Sequence, residues 1–295
     1  MKNKSSKWGA RFVLALCAGL IGLAGVITWG VYDFMCTEFP DVGTLKNHFP
    51  IVKYHGTKEP ATIVISKARP SGWVTLGEIS KVAVGAIVVS EDWAFYQHKG
   101  YDAKQIKEAI KEDWEEGRFA RGASTITQQV VRNVYLDKDK NLWRKAKEFY
   151  LAIRIEQRTG KKKILETYLN IAEWGEGVFG INAASRKYFD KAPAQLTARE
   201  GAFLAMLLPS PKRYGQSFRA KKLTEYAHRT VEDILDKMVR ARYLTEEERA
   251  AMRGELLSFE IPAAPVLPEG AEEKDGAEGP AEPVPGEAPP VEGSI

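Results

Sequence analysis

Between Glu91 and Asp102 the chain places an acid pair (Glu91-Asp92), a histidine (His98), a glycine (Gly100) and a third acid (Asp102) within a dozen residues. An apolar run, Val82 to Val89, leads directly into the pair. A carboxylate emerging from a buried segment has its charged form disfavoured by desolvation, which raises its pKa. That suits a general base or acid working near neutral pH. Acids also favour helix starts, where the dipole and free backbone amides stabilise them, and these residues alone leave that alternative open.

Downstream, Arg121-Gly122-Ala123-Ser124-Thr125-Ile126-Thr127-Gln128-Gln129 offers hydroxyls and amides in one short run. A cationic set follows in Arg132, Lys140, Arg144, Lys145 and Lys147. On a helix from about Leu142, Arg144, Lys147 and Glu148 stand at spacings of three and four, near one face. Guanidinium and ammonium groups make strong charge-assisted contacts to phosphate, and stabilising developing charge is usually the largest catalytic term. A solvated helix with an ordinary surface ion pair uses the same residues. A second carboxylate, Glu166, lies in Ile164-Leu165-Glu166-Thr167-Tyr168-Leu169-Asn170, on a helix opened after Gly160-Lys161-Lys162-Lys163.

Taken in order, EDxxFxxHxGxD at Glu91–Asp102, GxSTITQQ at Gly122–Gln129, RKxxE at Arg144–Glu148 and ILExYLN at Ile164–Asn170 resemble the peptidoglycan glycosyltransferase family. The run Ala172 to Phe189 looks most like its monofunctional, single-domain branch. The resemblance covers roughly residues 70 to 215; four motifs in order are specific where any one is weak. It implies a mainly α, lysozyme-like glycosyltransferase domain that polymerises lipid II. It also implies roles. Glu91 is the general base for the 4-hydroxyl of the acceptor sugar, which attacks the donor chain's anomeric carbon with inversion. Asp92 organises the site, and His98 is either a ligand contact or a satisfied structural histidine. Ser124, Thr125, Gln128 and Gln129 are hydrogen-bonders to sugar and phosphate, with helix capping as the alternative. Lys140, Arg144 and Lys147 meet the leaving pyrophosphate, and Glu148 orients them. Arg132 and Lys140 exchange the family's usual lysine and arginine, which keeps charge but not bidentate geometry. Glu166 helps near the donor phosphate, with a divalent cation (Mg or Mn) conceivable there but none required. Asn170 completes the substrate-binding set.

These residues need a scaffold. The 295-residue chain holds one sizeable core or two small ones. Its charge of +4 is uneven: from Pro262 to Ile295 there are eight acids and one lysine, leaving +11 on residues 1–261. A basic body suits an anionic partner such as a pyrophosphate or lipid headgroups. The acidic Pro/Gly-rich tail (261–295) has too little apolar content to fold and should be dispensable for chemistry. At the other end, Lys2, Lys4, Lys7 and Arg11 precede an uncharged, largely apolar run from Phe12 to Tyr32. That length spans a bilayer as a single transmembrane helix, and the flanking charges predict a cytoplasmic N-terminus (1–11). The run exceeds a typical signal-peptide core, which favours an uncleaved anchor (12–32). Cys17 and Cys36 provide neither a disulfide framework nor a metal site.

Residues 33–72 read as a connector with one β-like stretch, Ala61 to Ile65, and 73–260 as the helical domain. Thr125, Thr197 and Thr245 each begin a capping-box pattern, and Val231, Ile234, Leu235 and Met238 mark one apolar helix face. Val82 to Val89 is strand-like by β-branching, whereas the family resemblance implies helix. The expected partners are lipid II, the nascent glycan strand and the membrane. Transpeptidases or other cell-wall proteins would supply crosslinking, since nothing after Phe259 could form such a domain. The expected location is the bacterial inner membrane, with the domain on its outer side. A lysozyme-like hydrolase also uses two carboxylates, but has no pyrophosphate for the cations to neutralise. A non-catalytic envelope scaffold would need neither Glu91 nor those cations. The basic body matches no nucleic-acid-binding module.

Overall fold

The computed structural model describes residues 4–116, 124–137, 139 and 141–261. Arg121, Gly122, Ala123, Lys140 and the acidic tail from Pro262 lie outside them. The architecture is mainly α, as expected. A long helix, α1 (Lys4–Glu38), contains the apolar N-terminal stretch and is long and apolar enough to cross a membrane. The hairpin β1 (Phe49–Lys53) and β2 (Thr62–Ser66) follows. The helices α2 (Lys81–Glu91), α3 (Ala103–Glu116), α4 (Ile126–Tyr135), α5 (Leu142–Thr159) and α6 (Lys161–Ile171) come next. A short hairpin of β3 (Glu173–Gly175) and β4 (Val178–Phe179) leads to α7 (Ile181–Phe189) and α8 (Ala198–Leu207). Two single turns, α9 (Pro211–Tyr214) and α10 (Gln216–Arg219), precede α11 (Glu225–Arg240) and α12 (Glu246–Ala251).

The helix that delivers Glu91 lies in the middle of the core. Ala83, Ala86, Ile87, Val88 and Val89 of α2 are all buried. Its β-branched residues would favour a strand, but tertiary packing overrides that weak preference. The reason is visible in the small residues between them. A Cβ on Gly201 of α8 would meet Ala83 Cα at 2.5 Å, so α2 and α8 touch backbone to backbone. Gly85 likewise admits the Tyr243 ring, which a Cβ would meet at 2.5 Å. A helix that is apolar all round is stable only when enclosed, as this one is by α8 and α11.

The capping boxes form where their sequences predict them, at Thr125–Gln128, Thr197–Glu200 and Thr245–Glu248. On α11, Val231, Ile234, Leu235 and Met238 are buried together. The stretch read as a connector is more ordered than that reading allowed. Val42 and Leu45 belong to the core, and Phe39 packs edge-on against Tyr150 of α5 at 4.8 Å. The β-like stretch at 61–65 forms β2, and its antiparallel partner β1 pairs Phe49 with Ser66 through Lys53 with Thr62. Pro50 and the adjacent apolar pair Ile51-Val52 gave β1 no alternating pattern to read.

Candidate active site

Glu91 ends α2 where the buried segment meets α4 and α6. Its Oε2 accepts from Gln129 Nε2 at 2.9 Å and from the Tyr168 hydroxyl at 3.4 Å. Burial pushes the Glu91 carboxyl above the ordinary glutamate range; those two hydrogen bonds and the charge of Arg132 pull it partly back. Tyr168 is 1% exposed, and burial together with the adjacent carboxylate raises its pKa well above the usual value. It is therefore a neutral donor throughout the physiological range. Oε1 of Glu91 accepts from no described residue and is left to take a proton.

Asp92, 1% exposed, points the other way. His98 Nε2 donates to its Oδ1 at 2.9 Å, and the backbone N–H of Ile126 donates to Oδ2 at 2.9 Å. His98 Nδ1 accepts from Gly100 N at 3.1 Å, which assigns the proton to Nε2. Both ring nitrogens are engaged within the protein, the arrangement expected of the structural alternative for His98. Asp92 ties the start of α4 to the loop after α2. Gly100 has φ +100°, and a Cβ there would meet the Ala152 carbonyl oxygen at 2.6 Å; only glycine fits.

The GxSTITQQ residues divide by function. Thr125 Oγ1 donates to Gly100 O at 2.8 Å and receives Gln128 N, while Gln128 Oε1 accepts Thr125 N at 3.0 Å. Thr125 and Gln128 are buried caps. Gln129 alone reaches Glu91. Ser124 Oγ accepts from Lys145 Nζ at 2.9 Å, joining this segment to α5.

On α5, Glu148 is fully buried and receives Arg144 Nη1 at 2.9 Å and Lys145 Nζ. Lys147, assigned with Arg144 to pyrophosphate, instead pairs with Glu38 Oε2 at 3.2 Å, beside Trp143 Nε1 on the same oxygen at 3.3 Å. Helical rotation explains this. At roughly 100° per residue, Glu148 falls between Arg144 and Lys145, and Lys147 turns to the far side of Arg144. The second cation beside Glu148 is Lys145, a member of the cationic set that was not among the residues expected at the pyrophosphate. Arg132 and Arg144 both line a cavity of about 580 Å³ between the β1–β2 hairpin and the helices, with Lys58, Glu173 and Lys212 also on its wall.

Glu166 and Asn170 bond to a neighbouring segment. Glu166 accepts Trp73 Nε1 at 3.0 Å and Leu76 N at 3.3 Å. Asn170 accepts Val74 N at 2.9 Å and donates to Val74 O at 2.8 Å. Together they clamp segment 73–76 onto α6. Lys163 Nζ stands 3.9 Å from Glu166 and 4.8 Å from the Trp73 ring centre. An acid with both oxygens hydrogen-bonded and a lysine alongside is poorly suited to a divalent cation. Among the described residues no cluster of acids, histidines or cysteines could hold a metal. The α6 residue that does meet Glu91 is Tyr168, which sequence reasoning missed. Its position two after Glu166 places it on the opposite helix face, toward α2, and that spacing was the available signal.

Comparison with known proteins gives the family. The transglycosylase family profile matches residues 58–239. The chain is 45% identical over 159 residues to the biosynthetic peptidoglycan transglycosylase of Shewanella denitrificans, covering 54% of this chain and 67% of that one. The protein of the same name from Thiobacillus denitrificans is 33% identical over 222 residues, 75% of this chain and 89% of its own length. Penicillin-binding protein 1A of Escherichia coli is 35% identical over 249 residues, 83% of this chain, but the chain spans only 28% of that longer protein. This chain belongs to the transglycosylase family.

Proposed function

We propose that this chain is a peptidoglycan glycosyltransferase that polymerises lipid II into glycan strands. The growing chain passes from its undecaprenyl-pyrophosphate carrier to the 4-hydroxyl of an acceptor lipid II, with inversion. Glu91 Oε1 takes the proton of the acceptor hydroxyl as the hydroxyl oxygen bonds to the donor's anomeric carbon and the bond to pyrophosphate breaks. Gln129 and Tyr168 hold the other carboxylate oxygen and so aim the base. Arg132 and Arg144, facing one cavity, take up the charge developing on pyrophosphate. Glu148 keeps Arg144 and Lys145 in place. Lys140, outside the described residues, adds a further cation to the same run of sequence.

The observation that carries this reading is the juxtaposition of one uncommitted, desolvated carboxylate oxygen with arginines gathered on a nearby cavity. A glycosidase would have no use for the arginines, and a scaffold would have no use for either. We read α1 as a single-pass anchor in the inner membrane, with the N-terminus in the cytoplasm and the domain on the periplasmic side. Basic residues before the span and acids after it support that orientation. The test is direct: the purified full chain is incubated with lipid II, and products are separated by size. Polymer with release of undecaprenyl pyrophosphate is expected; cleavage of preformed glycan without polymerisation would instead identify a hydrolase.

A further inference from the structure

A groove at the outer end of α1 has the chemistry of a lipid-headgroup site. The charge-free stretch of α1 ends at Asp33, and Trp29 and Tyr32 stand exposed just before it. Amphipathic rings of this kind concentrate at the membrane–water interface. Immediately beyond, Met35, Cys36 and Phe39 face Tyr150 and two arginines of α5, Arg154 and Arg158, around a cavity of about 340 Å³. The groove is therefore continuous with the membrane span and opens at headgroup depth. It shares no lining residue with the cavity that holds Arg132 and Arg144.

The two arginines differ. Arg158 Nη1 pairs with Asp41 Oδ1 at 2.7 Å, so its charge is compensated. Arg154 is half-buried; its Nη1 donates to the Tyr150 hydroxyl at 2.9 Å, and its guanidinium lies 5.7 Å from that ring's centre. Among the described residues no carboxylate pairs with it. A guanidinium presents five donors in a planar fork that matches phosphate oxygens, and the Tyr150 contact occupies only part of that fork.

We propose that this groove binds an anionic glycerophospholipid of the surrounding bilayer, its phosphate on Arg154 and one acyl chain leaving past Met35 and Tyr32 along α1 into the bilayer. The apolar wall takes the chain and the uncompensated cation takes the phosphate. A zwitterionic lipid would bring its own ammonium to a site already positive. Such a lipid would fix the seat of α5, the helix that carries Arg144, Lys145 and Glu148, relative to the membrane surface. The inference rests on α1 crossing a membrane and not on the proposed reaction.

The test uses the full chain in neutral detergent micelles doped equally with phosphatidylglycerol and phosphatidylcholine of matched acyl chains. Native mass spectrometry reads which lipid stays bound. The wild type should retain phosphatidylglycerol in preference. Arg154→Gln should reduce that preference roughly fivefold, the effect of one basic residue at an anionic surface. Arg154→Lys should keep most of it, and Arg229→Gln, on the exposed face of α11, should change nothing. Because Arg154 is half-buried, a second variant guards against misfolding. Cys36→Asp puts a carboxylate on an exposed groove position without touching α5, and should also lower retention. Equal retention of the two lipids by the wild type, or full retention by either Arg154→Gln or Cys36→Asp, would overturn the proposal. With a polyprenyl phosphate added as a third lipid, its retention in preference to phosphatidylglycerol would overturn the proposal too, since the occupant would then be of the carrier class. A full chain that stays soluble and monodisperse without detergent would instead remove the membrane reading on which the site depends.

Discussion

Gln129 Nε2 and Glu91 Oε2 meet at 2.9 Å across the contact between α4 and the end of α2. This bond commits one oxygen of the carboxylate and leaves the other for chemistry. It also joins two segments 38 residues apart in sequence, so the carboxylate is oriented by packing and not by its own neighbours. Glu91→Gln should cut lipid II polymerisation by at least ~10²-fold, since an amide cannot take the proton. The same change should raise the melting temperature at neutral pH. Glu91 has a raised folded-state pKa, so its ionisation works against the fold as pH climbs from the ordinary glutamate value through the raised one. The stability difference between mutant and wild type should therefore shrink as pH falls below that window. A melt series across pH, run beside the polymerisation assay, checks both halves.

The pH profile offers a separate handle on the same carboxylate. Desolvation raises Glu91, and Gln129, Tyr168 and Arg132 oppose it. Removing an opposing group should raise the pKa further. Gln129→Ala and Arg132→Gln should each move the acid limb of the rate profile to higher pH. A limb that stays in place in both variants would mean that another group governs it.

Arg144 and Lys147 should part company. Arg144 lines the large cavity and holds Glu148, so Arg144→Ala should cost about 10²–10³ in turnover. Lys147 sits on Glu38 and near Trp143, and Lys147→Ala should leave turnover within a few-fold. Its stability effect should be at most about 1 kcal/mol, as for other partly exposed pairs. Comparable losses of turnover in the two variants would return Lys147 to the phosphate site.

Glu166→Ala should act on the fold. It would leave the buried Trp73 indole N–H and the Leu76 amide without acceptors. An unsatisfied buried polar group costs about 1–3 kcal/mol, so a drop of that order in denaturant stability is expected. Turnover per folded molecule should fall much less than in Glu91→Gln. A stable Glu166→Ala protein with abolished turnover would restore this acid to catalysis.

Much of this was legible in the chain, and for local reasons. Capping boxes need only four consecutive residues, so Thr125, Thr197 and Thr245 marked helix starts correctly. The apolar face of α11 follows from spacing alone. A charge-free run of the length of Phe12–Tyr32 identifies the helix able to span a bilayer. The order of four motifs was enough for the family, which depends on residue types and not on their contacts.

What the chain could not show was which side chains face each other. Within RKxxE, the rotation of α5 and the position of α1 decide that Lys145 reaches Glu148 and Ser124 while Lys147 reaches Glu38. Within ILExYLN, the packing of α6 between segment 73–76 and α2 sends Glu166 and Asn170 one way and Tyr168 the other. Val82–Val89 is helical because small residues on α2 and α8 let two backbones touch, a gain available only once both helices exist. By itself the sequence determined the inventory of acids, cations and caps, together with the family. The tertiary structure decided their partners, because hydrogen bonds and ion pairs depend on distances set by elements dozens of residues apart.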